Sequence, residues 1–256
     1  MAPRGLKKAL KDTAPCKLVG SGIFKHFEVK PAGTNRGIKL KGLTKRLQTH
    51  IFSNGELPSI SKASAAPAGG HWRGPDGGRR RGSAVDAQVS RLAGVCAQKR
   101  YGSKMLNLTR LVFAALSVRG LEPIMGQRAV CSCLHRIGTA ADIVCHDAEN
   151  NAVVVVELKC GHSGARTAAA ISNGKACNMK APLSKASDCT LHRHLSQLAV
   201  THHLFMREKD TIKKLFNMGI ESVEGLLLYA NDSGVDVYKL DRWWVNKAQQ
   251  ILEKIR

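Results

Sequence analysis

The 256-residue chain carries 40 Lys and Arg against 19 Asp and Glu, a formal net charge of +21. That length suits one substantial domain with an extension. No apolar run approaches the ~20 residues of a membrane span, which argues against a membrane partner. A basic surplus of this size favours polyanions, whose counterions are released when their phosphates are neutralised.

The surplus is uneven. Residues 1–82 hold 17 Lys and Arg against 4 Asp and Glu. Lys, Gly, Ser, Pro and Ala dominate there, a composition that cannot bury enough apolar surface to offset chain ordering. Residues 1–82 are therefore expected to form a basic, largely flexible extension, with one short strand over 23–29. Such a tail is a nucleic-acid arm, a localisation signal or an organellar targeting segment. Arg79, Arg80 and Arg81 at its end are candidate phosphate contacts.

From residue 83 the periodicity tightens. Val85, Val89, Leu92 and Cys96 predict an amphipathic helix, and the apolar residues of 106–118 predict a second one ending near Gly120. Residues 128–135 alternate as a strand. Residues 161–189 are rich in Gly, Ala, Ser and Lys with no clear period, and Lys175, Lys180 and Lys185 there are candidate phosphate contacts. Thr190 is placed to cap a helix over 191–207, on which Gln197 shares a face with His194, Val200, Thr201 and Leu204. Two β runs, 225–229 and 235–240, flank a turn at Asn231-Asp-Ser-Gly234. A last helix over 242–255 uses Trp243 and Trp244 as packing anchors. This order gives an α/β domain over 83–256, a central mixed sheet flanked by helices.

The eight cysteines form no C-x-x-C pair and accompany no signal-peptide pattern, which favours free thiols in a reducing compartment, with the nucleus or a DNA-containing organelle among the options. His192, His194, His202 and His203 lack zinc-site spacing.

Residues 142–159 carry the chemistry. Asp142 opens one apolar run, a polar turn follows, and four valines at 153–156 lead into Glu157-Leu158-Lys159. Alternation puts Glu157 and Lys159 on one face and Leu158 on the other. A four-residue loop over 148–151 pairs Asp147 with Ala152 and sets Asp142 opposite Glu157; a five-residue loop moves the two acids to opposite faces. Directly opposed carboxylates repel, so the pair calls for a divalent cation. Hard oxygen ligands suit Mg²⁺ or Mn²⁺, with waters and phosphate oxygens completing the shell.

These residues resemble the PD-(D/E)xK nuclease superfamily: Gly138-Thr-Ala-Ala-Asp142, then Glu157-Leu-Lys159, then a helix bearing Gln197. The Gln-bearing helix is similar to that of the RecB-like and lambda-exonuclease-like branch. Asp86 stands where that branch usually has Glu or His, and Thr201 where it often has Tyr. The resemblance implies a restriction-endonuclease-like core and metal-dependent phosphodiester hydrolysis, with DNA favoured and an exonuclease mode ahead of an endonuclease. It assigns Asp142, Glu157, the Leu158 carbonyl and Asp86 to the metal, Lys159 to the attacking water and Gln197 to the phosphate or substrate end. One- and two-metal mechanisms both fit. The alternative is a non-catalytic basic nucleic-acid-binding protein on the same core. Nothing in the chain indicates an oligomeric state.

Overall fold

The computed structural model describes residues 2–19, 26–30, 37–53, 77–160 and 177–256. The N-terminal part supplies α1 (Leu6–Asp12), β1 (Lys17–Val19), β2 (His26–Val29), β3 (Ile38–Gly42) and α2 (Leu43–His50). Next come α3 (Gly77–Leu92), α4 (Ala97–Tyr101) and α5 (Asn107–Val118), then β4 (Leu121–Ser132), β5 (Ile137–Asp147) and β6 (Ala152–Cys160). The chain closes with α6 (Thr190–Met206), α7 (Lys209–Asn217), β7 (Ser222–Asn231), β8 (Gly234–Lys239) and α8 (Arg242–Lys254).

Alternation along β6 sets the architecture. Val153 and Val155 enter one hydrophobic core, while Val154, Val156 and Leu158 enter another. In β7, Leu227 and Tyr229 join the first core, and Leu226, Leu228 and Ala230 the second. A strand buried on both sides needs helices on both faces of its sheet. Side chains of α1, α2, α6, α7 and α8 fill the first core, and those of α3 and α5 the second. The result is an α/β fold around a mixed, open sheet of eight strands.

Strands β4, β5 and β6 run antiparallel, β6 and β7 parallel, and β7 and β8 antiparallel. The parallel pair requires a crossover, and α6 and α7 lie on it. β4 occupies one edge of β5 from Asp147 to Ile137. The other edge is shared: β6 pairs with residues 143–147, and β3 joins only at Ile137 and Gly138. Gly138 makes room for β2, since a Cβ there would sit 2.4 Å from the Phe27 side chain. Between these two partners the β5 edge parts from β6, and Asp142 lies at the parting.

For the described residues of 1–82, the expectation of a flexible extension is corrected. Leu6, Leu10, Leu43, Leu47, Ile51 and Phe52 are buried in the same core as Val153, Leu198 and Trp244. Leucines one turn apart give α1 and α2 an apolar stripe, and their lysines stay on the solvent side. The expected boundary at 82 falls inside α3. The short strand predicted over 23–29 is seen as β2, with residues 23–25 outside the described ones. Cys96 lies beyond the end of α3 and is exposed. β4 begins at Leu121, well ahead of the expected 128, and ends before His135. Thr190 is the first residue of α6 rather than its cap; Cys189 holds the extended cap conformation. α8 starts where Asp241 accepts hydrogen bonds from the amides of Trp243 and Trp244. Trp243 meets Trp244 edge-on in the first core, as packing anchors do. No described helix is long and apolar enough to cross a membrane.

Candidate active site

The turn between β5 and β6 is the four-residue one, with Asp147 opposite Ala152 and Ile143 opposite Val156. One step further along this register Asp142 faces Glu157. Asp147 holds the turn itself, its carboxylate accepting from the amides of Glu149 (3.0 Å) and Asn150 (3.1 Å) and from the Asn150 side chain (2.8 Å). Leu158 is buried in the second core, so its neighbours Glu157 and Lys159 emerge together on the opposite face, beneath α6.

Four of the predicted side chains meet there. Glu157 is 1 % exposed. Its Oε1 accepts hydrogen bonds from Lys159 Nζ and from Gln197 Nε2, the latter at 2.6 Å. Its Oε2 is buried and has no hydrogen-bond partner among the described residues. Asp142 accepts from the Leu158 amide at 2.8 Å and from Gln127 Nε2 at 3.0 Å. The α6 helix that carries Gln197 is tied back to β5 through Thr201, whose hydroxyl bonds the Gln197 carbonyl at 3.0 Å and approaches Thr139.

Burial dominates the electrostatics. Desolvation pushes the Glu157 carboxyl up to about 7 despite the Lys159 charge beside it. Asp142 is raised for the same reason. Burial alone would pull Lys159 down, but the charges of Glu157 and Asp142 outweigh it and hold the ammonium above its ordinary range. Two acids whose ionisation burial opposes therefore lie beside a lysine that keeps its charge.

Asp86 belongs to the same electrostatic cluster, since its charge helps to raise both Glu157 and Lys159. Its helix is set by Gly126: a Cβ there would stand 2.5 Å from the Ser90 Cα, so α3 lies directly on β4. Asp86 is one turn before Ser90 and shares its face.

No protein-family model and no curated protein sequence matches this chain. The chemistry of the site rests on its own residues.

Gln127 is a site residue that the sequence pattern does not reveal. It sits in β4 between Gly126, opposite Ile143, and Arg128, opposite Ala141, which sets it across from Asp142. Its φ of 50° is left-handed, an unfavourable conformation for a residue with a side chain. Strain of that kind collects at functional sites. His194 and Arg193 of α6 are further neighbours, lining a cavity of about 140 Å³ together with Lys159 and Gln197. Arg193 is buried and paired with Asp188 at 2.5 and 2.9 Å, whereas His194 Nδ1 lies 2.9 Å from the Tyr229 hydroxyl. Burial pushes that phenol up, so it keeps its proton.

Among the described residues, the predicted phosphate contacts are not brought together. Arg81 forms a two-point ion pair with Asp232 at the β7–β8 turn and is committed there. Arg80 is exposed on α3; Lys175 and the Arg79 side chain lie outside the described residues. Lys180 Nζ reaches the Thr49 carbonyl at 3.3 Å, and Lys185 is exposed. The eight cysteines are free thiols.

The donor set fits a hard divalent cation. Among the described residues no group of three His, Cys, Asp or Glu side chains forms a metal cage. Mg²⁺ does not require one, because one or two carboxylates with waters and phosphate oxygens suffice. The orphaned Glu157 Oε2 is the specific indication. A buried carboxylate oxygen without a donor is costly, and a cation shared with Asp142 would satisfy it.

Proposed function

We propose that this protein is a metal-dependent nuclease with a restriction-endonuclease-like core of the PD-(D/E)xK type, hydrolysing phosphodiester bonds. DNA is the favoured substrate and exonucleolytic cleavage the favoured mode. The observation that carries this reading is the Asp142–Glu157–Lys159–Gln197 cluster with its unpartnered Glu157 Oε2. The net charge of +21 supports a polyanionic substrate.

Asp142 and Glu157 would hold Mg²⁺ or Mn²⁺, with Asp86 acting on the same charge cluster. A cation bound there acidifies water and neutralises charge on phosphate. Lys159 stays protonated and offers donors to the oxyanion that develops at phosphorus. The Gln197 amide, with donors and an acceptor, fixes the Glu157 carboxylate and orients the phosphate. Gln127 and the Leu158 amide hold Asp142 in place. The burial of Leu158 locks the register that makes Glu157 and Lys159 neighbours.

End-labelled DNA incubated with Mg²⁺ or Mn²⁺ tests the proposal. Wild-type protein is expected to shorten the label, and Asp142→Ala, Glu157→Ala or Lys159→Ala to abolish shortening while DNA is still bound. Binding without cleavage under every metal would leave only a basic nucleic-acid-binding protein.

A further inference from the structure

The cavity beside Lys159 and Gln197 is closed on its far side by α2, from the N-terminal part of the chain. Thr44, Leu47 and Gln48 of α2, with Phe52 just beyond its end, form that wall. Leu47 and Phe52 are buried, while Thr44 and Gln48 are exposed polar residues one helical turn apart on the same face.

This wall is fixed at both ends. Ahead of α2, Lys41 and Gly42 of β3 pair with Ile137 and Gly138 of β5, the strand that carries Asp142. Behind it, the Ser53 amide donates to Asp188 at 2.7 Å, its hydroxyl donates to the Asn178 carbonyl at 2.6 Å, and the Lys180 amide donates to the Ile51 carbonyl at 2.7 Å. The Arg193 guanidinium, paired with the same Asp188, lies 4.7 Å over the Phe52 ring. Preorganised walls of this kind make precise binding sites.

We propose that Thr44 and Gln48 are substrate-binding residues, and that the α2 wall limits the site to a single nucleic-acid strand, admitting one terminal nucleotide. Size supports this. The cavity is about 140 Å³, close to the roughly 150 Å³ that holds one benzene ring. A base pair does not fit such a space, whereas part of one nucleotide does. Chemistry supports it too: Lys159 offers positive charge to a phosphate, while a hydroxyl and a carboxamide across the cavity offer neutral donors and acceptors suited to sugar or base edges. Exposed Lys39, Lys41 and Lys45 on β3 and α2 bring further positive charge to the same elements.

The inference rests on the nuclease reading, and one experiment separates the two. The full chain and its Thr44→Val/Gln48→Leu variant are given labelled single-stranded and blunt double-stranded DNA with Mn²⁺, and both binding and cleavage are measured. Wild type is expected to prefer the single strand. The variant is expected to show an about tenfold higher KM and weaker binding for it, with kcat within about twofold. Both substitutions are at exposed positions, and circular dichroism checks the fold. If wild type cleaves nothing, the nuclease reading fails, and the subsite is judged on binding alone: tenfold weaker single-strand binding by the variant upholds it, equal binding overturns it. Cleavage of blunt duplex as fast as single strand, or a variant with unchanged KM, also overturns it.

Discussion

The Glu157 carboxyl couples the fold to pH, and the linkage has a sign and a size. Its folded pKa is about 7 against an ordinary 4.5, raised by burial. A carboxyl raised by folding binds its proton more tightly in the native state. The stability it confers is complete below pH 4.5 and is lost as pH rises through about 7. At about 1.4 kcal/mol per pH unit, the loss is on the order of 3 kcal/mol. Glu157→Gln removes the titration, so wild type should lose about 3 kcal/mol more stability than the variant between pH 4.5 and pH 8. Urea unfolding in chelator at a series of pH values measures that difference. On the proposed function, Mg²⁺ or Mn²⁺ would bind the ionised form and should restore wild-type stability at pH 8, with little effect at pH 5 or on the variant. A wild-type pH profile parallel to that of Glu157→Gln, or a Tm at pH 8 indifferent to metal, would refute the reasoning.

Other perturbations test the frame around the site. Gly126→Ala should cost about 1–3 kcal/mol, because the new Cβ meets the Ser90 backbone; an unchanged urea midpoint would contradict it. Arg128→Met strands Glu208, whose carboxylate pairs with that guanidinium in the protein interior at 2.6 Å, and should cost about 3–5 kcal/mol. Adding Glu208→Met should recover much of that loss in the same unfolding assay. Asp147→Ala should cost about 1 kcal/mol through the lost turn hydrogen bonds. Those bonds hold the Asp147 pKa below its ordinary value against the opposing effect of burial. Its stabilisation is therefore present above the ordinary carboxylate pKa and lost as pH falls through the lower folded one, so the mutational difference should vanish in strong acid. Deleting residues 1–82 should abolish cooperative unfolding, since the deletion empties the core of Leu6, Leu10, Leu43, Leu47 and Ile51; a sharp urea transition for the remainder would refute that.

The hairpin was legible in the chain because short-range rules govern it. Four valines specify a strand and the period of two places Glu157 with Lys159, but the turn composition allows a four- or a five-residue loop, and only the β5–β6 register sets Asp142 across from Glu157. Gln197 could be placed on a helix, although its contact with Glu157 is a long-range one. In the N-terminal part composition and spacing point in opposite directions. Leu6/Leu10 and Leu43/Leu47/Ile51 do mark apolar stripes, but lysines and glycines between them give the average of a disordered tail. The boundary at 82 failed because Gly77 to Arg81, a glycine- and arginine-rich run, continues a helix whose apolar face begins only at Val85. Gln127 was invisible, since its role depends on the β4–β5 register and a left-handed φ. Thr44 and Gln48 reach the cavity through long-range contacts, the pairing of β3 with β5 ahead of α2 and the Ser53–Asp188 hydrogen bond behind it.

The most direct measurement is the anomalous scattering of Mn²⁺ in crystals of the protein soaked with that ion. A peak beside the Asp142 and Glu157 carboxylates is expected, occupied in wild type and lost in Glu157→Gln. Mn²⁺ bound elsewhere with that space vacant, or an undiminished peak in the variant, would contradict it.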